Sequence, residues 1–273
     1  MIVYINGCSH TKGGEDNFSN SYVDIVVKEL SDEPHESIIL DNGLNNKKLK
    51  KIINTNKQNC VYKHAFYGKS NDLIMLETIN FIYSMNSLNK KIDLLLIQWT
   101  GVNRRFQSEP NGDVTNINPH DLPDRGLKFE PIATEQTLQY MKLIQDLCIL
   151  YNIDYVCVPY MEVDESVLKD NIFKNDIDFS KYTCPIEIGH RNEFRKNGWA
   201  MDIHGHPNGM GIYKLAEMIL KILGKSTLRD INFYFSHKES NYYVDSKQFE
   251  LNKKYYKELG EGFIPKNIIK KLF

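Results

Sequence analysis

Apolar and polar positions along this chain switch between the spacing of strands and the spacing of helices, and the switches come in alternation. Ile2-Val3-Tyr4-Ile5 is a short apolar run that reads as a buried strand; Tyr22, Ile25, Val26 and Leu30 then recur at helical spacing, with Ser19, Asn20 and Ser21 as candidate caps. Ser37 to Leu40 is a second strand candidate, and the polar, lysine-rich stretch Asp41 to Asn59 holds a short helix around Leu49 to Ile53. Cys60-Val61-Tyr62 reads as a strand leading into a turn that Ser70 caps. Asp72 sits in the first turn of the helix that follows, and Ile74, Thr78, Phe81, Ile82 and Met85 share one of its faces. Ile92 to Trp99 is the most continuous apolar run, as expected of a central parallel strand covered on both sides.

Residues 106–131 are rich in Pro, Asn, Gly and Asp without periodicity and read as a long loop of a kind that is often functional or mobile. Thr134 is placed to cap a helix carrying Leu138, Met141, Ile144 and Leu147, and the strand Tyr155-Val156-Cys157-Val158 follows, ended by Pro159. Residues 161–200 form a polar insertion. Asp202-Ile203-His204-Gly205-His206-Pro207-Asn208 then precedes a last helix with Ile212, Leu215, Ala216, Ile219, Leu220 and Leu223 on one face. The tail from Lys225, rich in Tyr and Phe, reads as a hairpin plus short helix covering the body.

Strand and helix alternate throughout, which predicts an open α/β sheet with helices on both faces. The expected organisation is one domain over 1–224, with insertions at 106–131 and 161–200, and an extension over 225–273 packing on it. In such sheets sites lie at the carboxyl ends of the strands. By that rule Ser9, Gly68, Asn103 and the Asp202 to His206 segment share one rim.

Composition narrows the partners. With 34 basic and 35 acidic residues the formal net charge is -1, so no overall field draws nucleic acid or an anionic membrane. The five cysteines form no Cys-x-x-Cys pair and are odd in number, which argues against a zinc ribbon or a disulfide scaffold and for a reducing compartment. The amino-terminal residues show no secretory pattern and no run reaches membrane-spanning length. A cytoplasmic protein is expected, or one in a virion or infected host cell if the source is viral.

The candidate chemistry starts at Gly7-Cys8-Ser9-His10-Thr11-Lys12-Gly13. A serine on a sharp turn at a strand's carboxyl end is lifted clear of the sheet, beside backbone N–H groups that can stabilise an oxyanion. Acyl transfer also needs a base, a group to orient the base, and oxyanion donors. His206 is the candidate base and Asp202 its orienting acid. Asn103 and the backbone near Ser9 and Gly68 are the candidate oxyanion hole, while Arg104, His10 and Asn71 are candidate substrate contacts. Cys8 is a rival nucleophile, although a cysteine at a strand end is more often a small buried hydrophobe. Trp99 and Trp199 are candidates for a sugar platform, with packing the default for Trp99.

These residues carry a family resemblance. Gly7 to Gly13 resembles the first block of the SGNH (GDSL-type) hydrolases, with Cys8 where an aspartate is usual. Gly68 resembles the second block's glycine, Gly101-Val102-Asn103 the third block's Gly-x-Asn with Arg104 in place of aspartate, and His206-Pro207-Asn208 the fifth block's histidine. The Gly-Cys-Ser-His opening and the Trp-Thr-x-x-x-Arg stretch from Trp99 look most like SGNH-type proteins of bacteriophages. The resemblance implies a flavodoxin-like three-layer α/β/α fold with a mainly parallel sheet. It also implies hydrolysis of a small-molecule or carbohydrate acyl ester, such as an O-acetyl group, without a metal or other cofactor.

One departure bears on mechanism. The family places its acid three residues before the histidine, where this chain has Ile203; Asp202 lies four before it. Either the turn is one residue longer, or a Ser-His dyad works with a backbone carbonyl orienting the imidazole. Two other readings stand beside the esterase. Asp202-x-His204-x-His206, joined by His10, has the spacing of a metal site for a metal-dependent hydrolase. Alternatively, the fold is retained as a catalytically inactive binding module.

Overall fold

The computed structural model describes residues 1–8, 11, 21–41, 43–56, 59–66, 69–102, 105–108, 114–117, 130–160, 163, 168–169, 171–197, 199–200, 206–225 and 227–235. Five strands form one parallel sheet: β1 (Ile2–Gly7), β2 (Glu36–Ile39), β3 (Cys60–Ala65), β4 (Leu94–Trp99) and β7 (Asp154–Pro159), in spatial order β2-β3-β1-β4-β7. A separate antiparallel hairpin pairs β5 (Arg105–Ser108) with β6 (Val114–Ile117).

Helices cover both faces. Tyr4, Tyr62, Leu95, Ile97 and Trp99 point into one core, closed by α2 (Asn46–Thr55), α3 (Asn71–Ser87) and α4 (Glu130–Leu150). Val3, Ile5, Val61, Leu96 and Val156, their neighbours along the same strands, point into the other, closed by α1 (Tyr22–Leu30) and α6 (Gly209–Ile222). The two-residue side-chain period of a strand therefore supplies both cores from one sheet. The result is the expected three-layer α/β/α architecture.

Crossover handedness explains which helix lies where. From β2 through β3 and β4 to β7 the chain moves steadily in one direction, and α2, α3 and α4 lie on one face. From β1 to β2 it moves in the opposite direction, and α1 lies on the other face, as right-handed crossovers require. The reversal falls at β1 and β4, and in such sheets ligands bind outside the carboxyl ends of the strands at this point.

Local signals account for most boundaries. Ser21 caps α1 in a reciprocal box with Asp24: the Asp24 carboxylate accepts from Ser21 N at 2.9 Å and from Ser21 Oγ at 2.6 Å. Asp24 also binds Lys63 Nζ at 2.6 Å, tying α1 to β3, so that burial, which pushes this carboxyl up, is outweighed by Lys63 and its pKa is lowered. The outer edge of β7 is covered, because Tyr182 bridges Cys157 and Thr183 N donates to Cys157 O at 3.0 Å.

Three expectations are corrected. The stretch 106–131 is not a plain loop, since it holds most of the β5-β6 hairpin; four-residue strands among Pro, Asn and Gly are too short to show a period. Thr134 is not a cap but lies inside α4, which starts at Glu130, because a proline in the first turn, here Pro131, is compatible with a helix. Ser70 occupies the cap position of α3 without a side-chain cap bond.

The 161–200 stretch is anchored where it is described. It contains two 3-10 turns, Ile172–Asp176 and Phe179–Lys181, and α5 (His190–Asn197), and it buries Ile186 and Phe194. After α6, the chain lays Tyr234 and Phe235 into the α1/α6 core, with Arg229 on Glu29 at 2.7 Å. Residues 236–273, where the hairpin and helix of the tail are expected, lie outside the described residues. Among the described residues no helix is long and apolar enough to cross a membrane.

Candidate active site

The carboxyl end of β1 is shaped by close packing. A Cβ on Gly7 would collide with the Thr11 hydroxyl and come within 2.8 Å of Gln98 Cβ, so only glycine lets this strand end lie against β4. Thr11 N donates to Cys8 O at 3.0 Å, and the Thr11 hydroxyl bonds the Gln98 side chain, closing the turn onto the sheet. Cys8 is fully buried, which removes it from reach of a substrate.

The exits of β3 and β4 are secured to the same place. Phe66 N donates to Gly7 O at 3.3 Å, joining the β3 exit to β1. Asn71, at the start of α3, clamps the β4 exit: its Oδ1 accepts from Thr100 N at 2.8 Å and its Nδ2 donates to Thr100 O at 3.0 Å and Thr137 Oγ1 at 3.2 Å. Fully buried and with both amide atoms engaged, Asn71 has no free face for a substrate and positions the Gly101 turn instead. Trp99 is buried too, so it packs and offers no sugar platform.

His206 stands at the start of α6. Pro207 bridges Ala200, Asn208 N donates to Trp199 O at 2.8 Å, and Asn208 Oδ1 caps the helix by accepting from Gly211 N at 3.0 Å. Gly211 lies so close to Trp199 O that a Cβ would collide with it. These contacts hold the half-buried His206 at the amino end of α6, which packs beside α1. α1 and α6 pack together on the same face of the sheet.

Ser9, His10, Gly68, Asn103, Arg104, Asp202 and His204 lie outside the described residues. Of the candidate site residues, the structure describes Asn71 and His206 themselves and the segments that flank the others: Cys8 before Ser9, Lys69 after Gly68 and Val102 before Asn103. Among the described residues no group of three or more His, Cys, Asp or Glu is arranged to hold a metal ion.

Beneath the rim lies a buried polar cluster that the motif reading missed. Asn6 Nδ2 donates to Tyr4 Oη at 3.1 Å, Ile74 O at 3.0 Å and Thr78 Oγ1 at 3.1 Å. Tyr4 Oη lies 3.0 Å from His64 Nδ1, and His64 Nε2 lies 3.1 Å from Glu77 Oε1 and 2.9 Å from Asp41 O. Two acceptors at Nε2 assign the proton there, leaving Nδ1 to accept from Tyr4. Lys69 completes the cluster with an ion pair to Glu77.

The charges in this cluster follow from burial and pairing. Burial, then the Lys69 charge, depress the His64 pKa and keep the ring neutral. Burial pulls the Lys69 ammonium down to about 8 despite Glu77. At Glu77 burial raises the pKa, but His64 and Lys69 together outweigh it and hold the carboxyl low. Two signals in the sequence pointed here: a polar Asn6 ending an apolar strand, and Glu77 on the apolar face of α3.

The fold is a doubly wound α/β sheet, a class in which sites lie at the carboxyl ends of the parallel strands. No family model matches the sequence, and no curated protein matches it. Solved structures similar to this chain include LAE5, an α/β hydrolase enzyme from the metagenome of Lake Arreo, Spain, at 13% identity over 83% of this chain and 96% of that one, TM-score 0.46. A member of the lipolytic G-D-S-L family from Veillonella parvula DSM 2008 is 12% identical over 82% of this chain and 98% of its own, TM-score 0.43. The acetyl xylan esterase AlAXEase is 11% identical over 81% and 98%, TM-score 0.44.

Proposed function

We propose that this chain is a serine ester hydrolase of SGNH type. The observation that supports the reading is the adjacency of three strand exits: β3, β1 and β4 lie side by side and parallel, and they end just before the sequence positions of Gly68, Ser9 and Asn103, while His206 precedes α6, which packs on α1. In this reading Ser9 attacks the ester carbonyl and His206 takes its proton, then returns it to the leaving alcohol. Asp202 or a backbone carbonyl orients the imidazole. Asn103 and the backbone N–H groups of Ser9 and Gly68 stabilise the oxyanion. Arg104 and His10 contact the substrate, for which a short acyl ester such as a carbohydrate O-acetyl group is the proposed class.

Intact-mass labelling with a fluorophosphonate tests the reading. A single adduct is expected on the wild type and on Cys8→Ala, and none on Ser9→Ala. No adduct on well-folded wild type, or one that persists in Ser9→Ala, overturns it.

A further inference from the structure

Lys69 is fully buried, and the acceptors around its ammonium lie on three different elements. They are Asn6 Oδ1 on β1 at 2.7 Å, His64 O on β3 at 2.6 Å and the Glu77 carboxylate on α3. Two hydrogen bonds and one ion pair thus surround the ammonium. Stability alone does not call for this arrangement, because a buried ion pair is often no better than apolar side chains of the same volume.

What the arrangement supplies is a fixed distance between two turns. Asn6 precedes Gly7 and stands three residues before Ser9, while Lys69 directly follows Gly68. We propose that Lys69 is a positioning residue: its ammonium ties the β3-α3 turn to the end of β1, so that the chain segments carrying Ser9 and Gly68 keep one separation. This rests on the esterase reading of the rim. The nucleophile and an oxyanion donor must hold their spacing within a fraction of an ångström, and the 3.3 Å Phe66 N to Gly7 O bond is a long one across the same gap. Lys69 closes it from below, with Phe66 also stacking its ring 5.5 Å from the ammonium. The charged and titratable groups facing the ammonium are Glu77 on α3, His64 and, through it, Tyr4 on β3 and β1, and Cys8 at the β1 end.

The test compares the full chain as wild type, Lys69→Met, and Lys69→Met with Glu77→Leu. The double variant leaves no unpaired buried charge, so it keeps the test open if the single variant folds poorly. Each is assayed for thermal stability, for kcat and KM on 4-nitrophenyl acetate, and for amide hydrogen exchange over residues 4–8 and 64–71. The expected result is a double variant that regains stability while kcat stays about tenfold or more below wild type with KM little changed, and both segments exchanging faster. Recovery of kcat along with stability would mean that Lys69 serves the fold only, and overturns the proposal. A wild type that neither turns over nor takes the fluorophosphonate sinks the esterase reading instead; exchange then decides, unchanged protection at 4–8 refuting the tie and joint loss supporting it.

Discussion

The Asn71 side chain brackets the backbone of Thr100 from both sides, accepting from its N–H at 2.8 Å and donating to its C=O at 3.0 Å. A two-sided amide clamp substitutes for a missing strand neighbour and sets where the chain leaves β4. Asn71→Ala is therefore expected to remove both of these buried bonds to Thr100 and to destabilise the protein by about 2–3 kcal/mol. Urea denaturation measures this; a loss under about 0.5 kcal/mol would mean that the clamp is dispensable.

Gly7→Ala adds a methyl where the Thr11 hydroxyl and Gln98 already lie. Overpacking of this kind destabilises by roughly 1–3 kcal/mol, and here it also displaces the turn that leads to Ser9. The expected outcome is a lower melting temperature together with loss of fluorophosphonate labelling. Unchanged labelling would show that the turn relaxes freely.

Acid should weaken the protein in two stages. His64 has a folded pKa below its ordinary 6.5, so the unfolded chain takes up the proton first, and stability falls as pH drops below about 6.5. Glu77 has a folded pKa below its ordinary 4.5; its contribution is complete above that value and is lost as pH falls through the folded one. Melting temperatures from pH 7 to pH 4 are expected to decline, with the upper stage absent in His64→Phe.

Alkali acts on Lys69 with the opposite sign. Its folded pKa of about 8 lies below the ordinary 10.5, so between these values the unfolded chain binds more protons and the Lys69 contribution to stability rises with pH. The ion pair to Glu77 is lost over the same range. Relative to Lys69→Met, wild-type stability is expected to increase between pH 8 and pH 10, which paired denaturation curves would show.

In the proposed reaction Ser9→Ala and His206→Ala abolish turnover without unfolding the chain. Removing the Asn103 amide slows kcat by about 100-fold or more if it donates to the oxyanion. Asp202→Asn distinguishes triad from dyad: a small loss on 4-nitrophenyl acetate favours a backbone carbonyl as the orienting group.

The strands and helices were legible because each is decided locally. Tyr22 to Leu30 carries its apolar face and its capping box within about ten residues, and Leu94–Trp99 is apolar enough to need cover on both faces. The start of α4 lies four residues before the expected cap Thr134, because Thr134 has the chemistry of a boundary residue, whereas a proline such as Pro131 is compatible with the first turn. The part of Lys69 in the buried cluster was illegible for a different reason. Lys69 beside a turn has the same sequence context as a solvated lysine, and only the approach of Asn6, 63 residues away, reveals its role.

By itself the sequence determined the alternation of the main strands and helices and the layer count, since hydrophobic period and turn chemistry act over a few residues. Tertiary structure alone decided the strand order β2-β3-β1-β4-β7, the need for glycine at Gly7, and the linkage of Lys69 to Asn6, His64 and Glu77. Those depend on which distant segments come to share one buried volume, where a charge or a single methyl group is accepted or refused by neighbours that the chain order does not disclose.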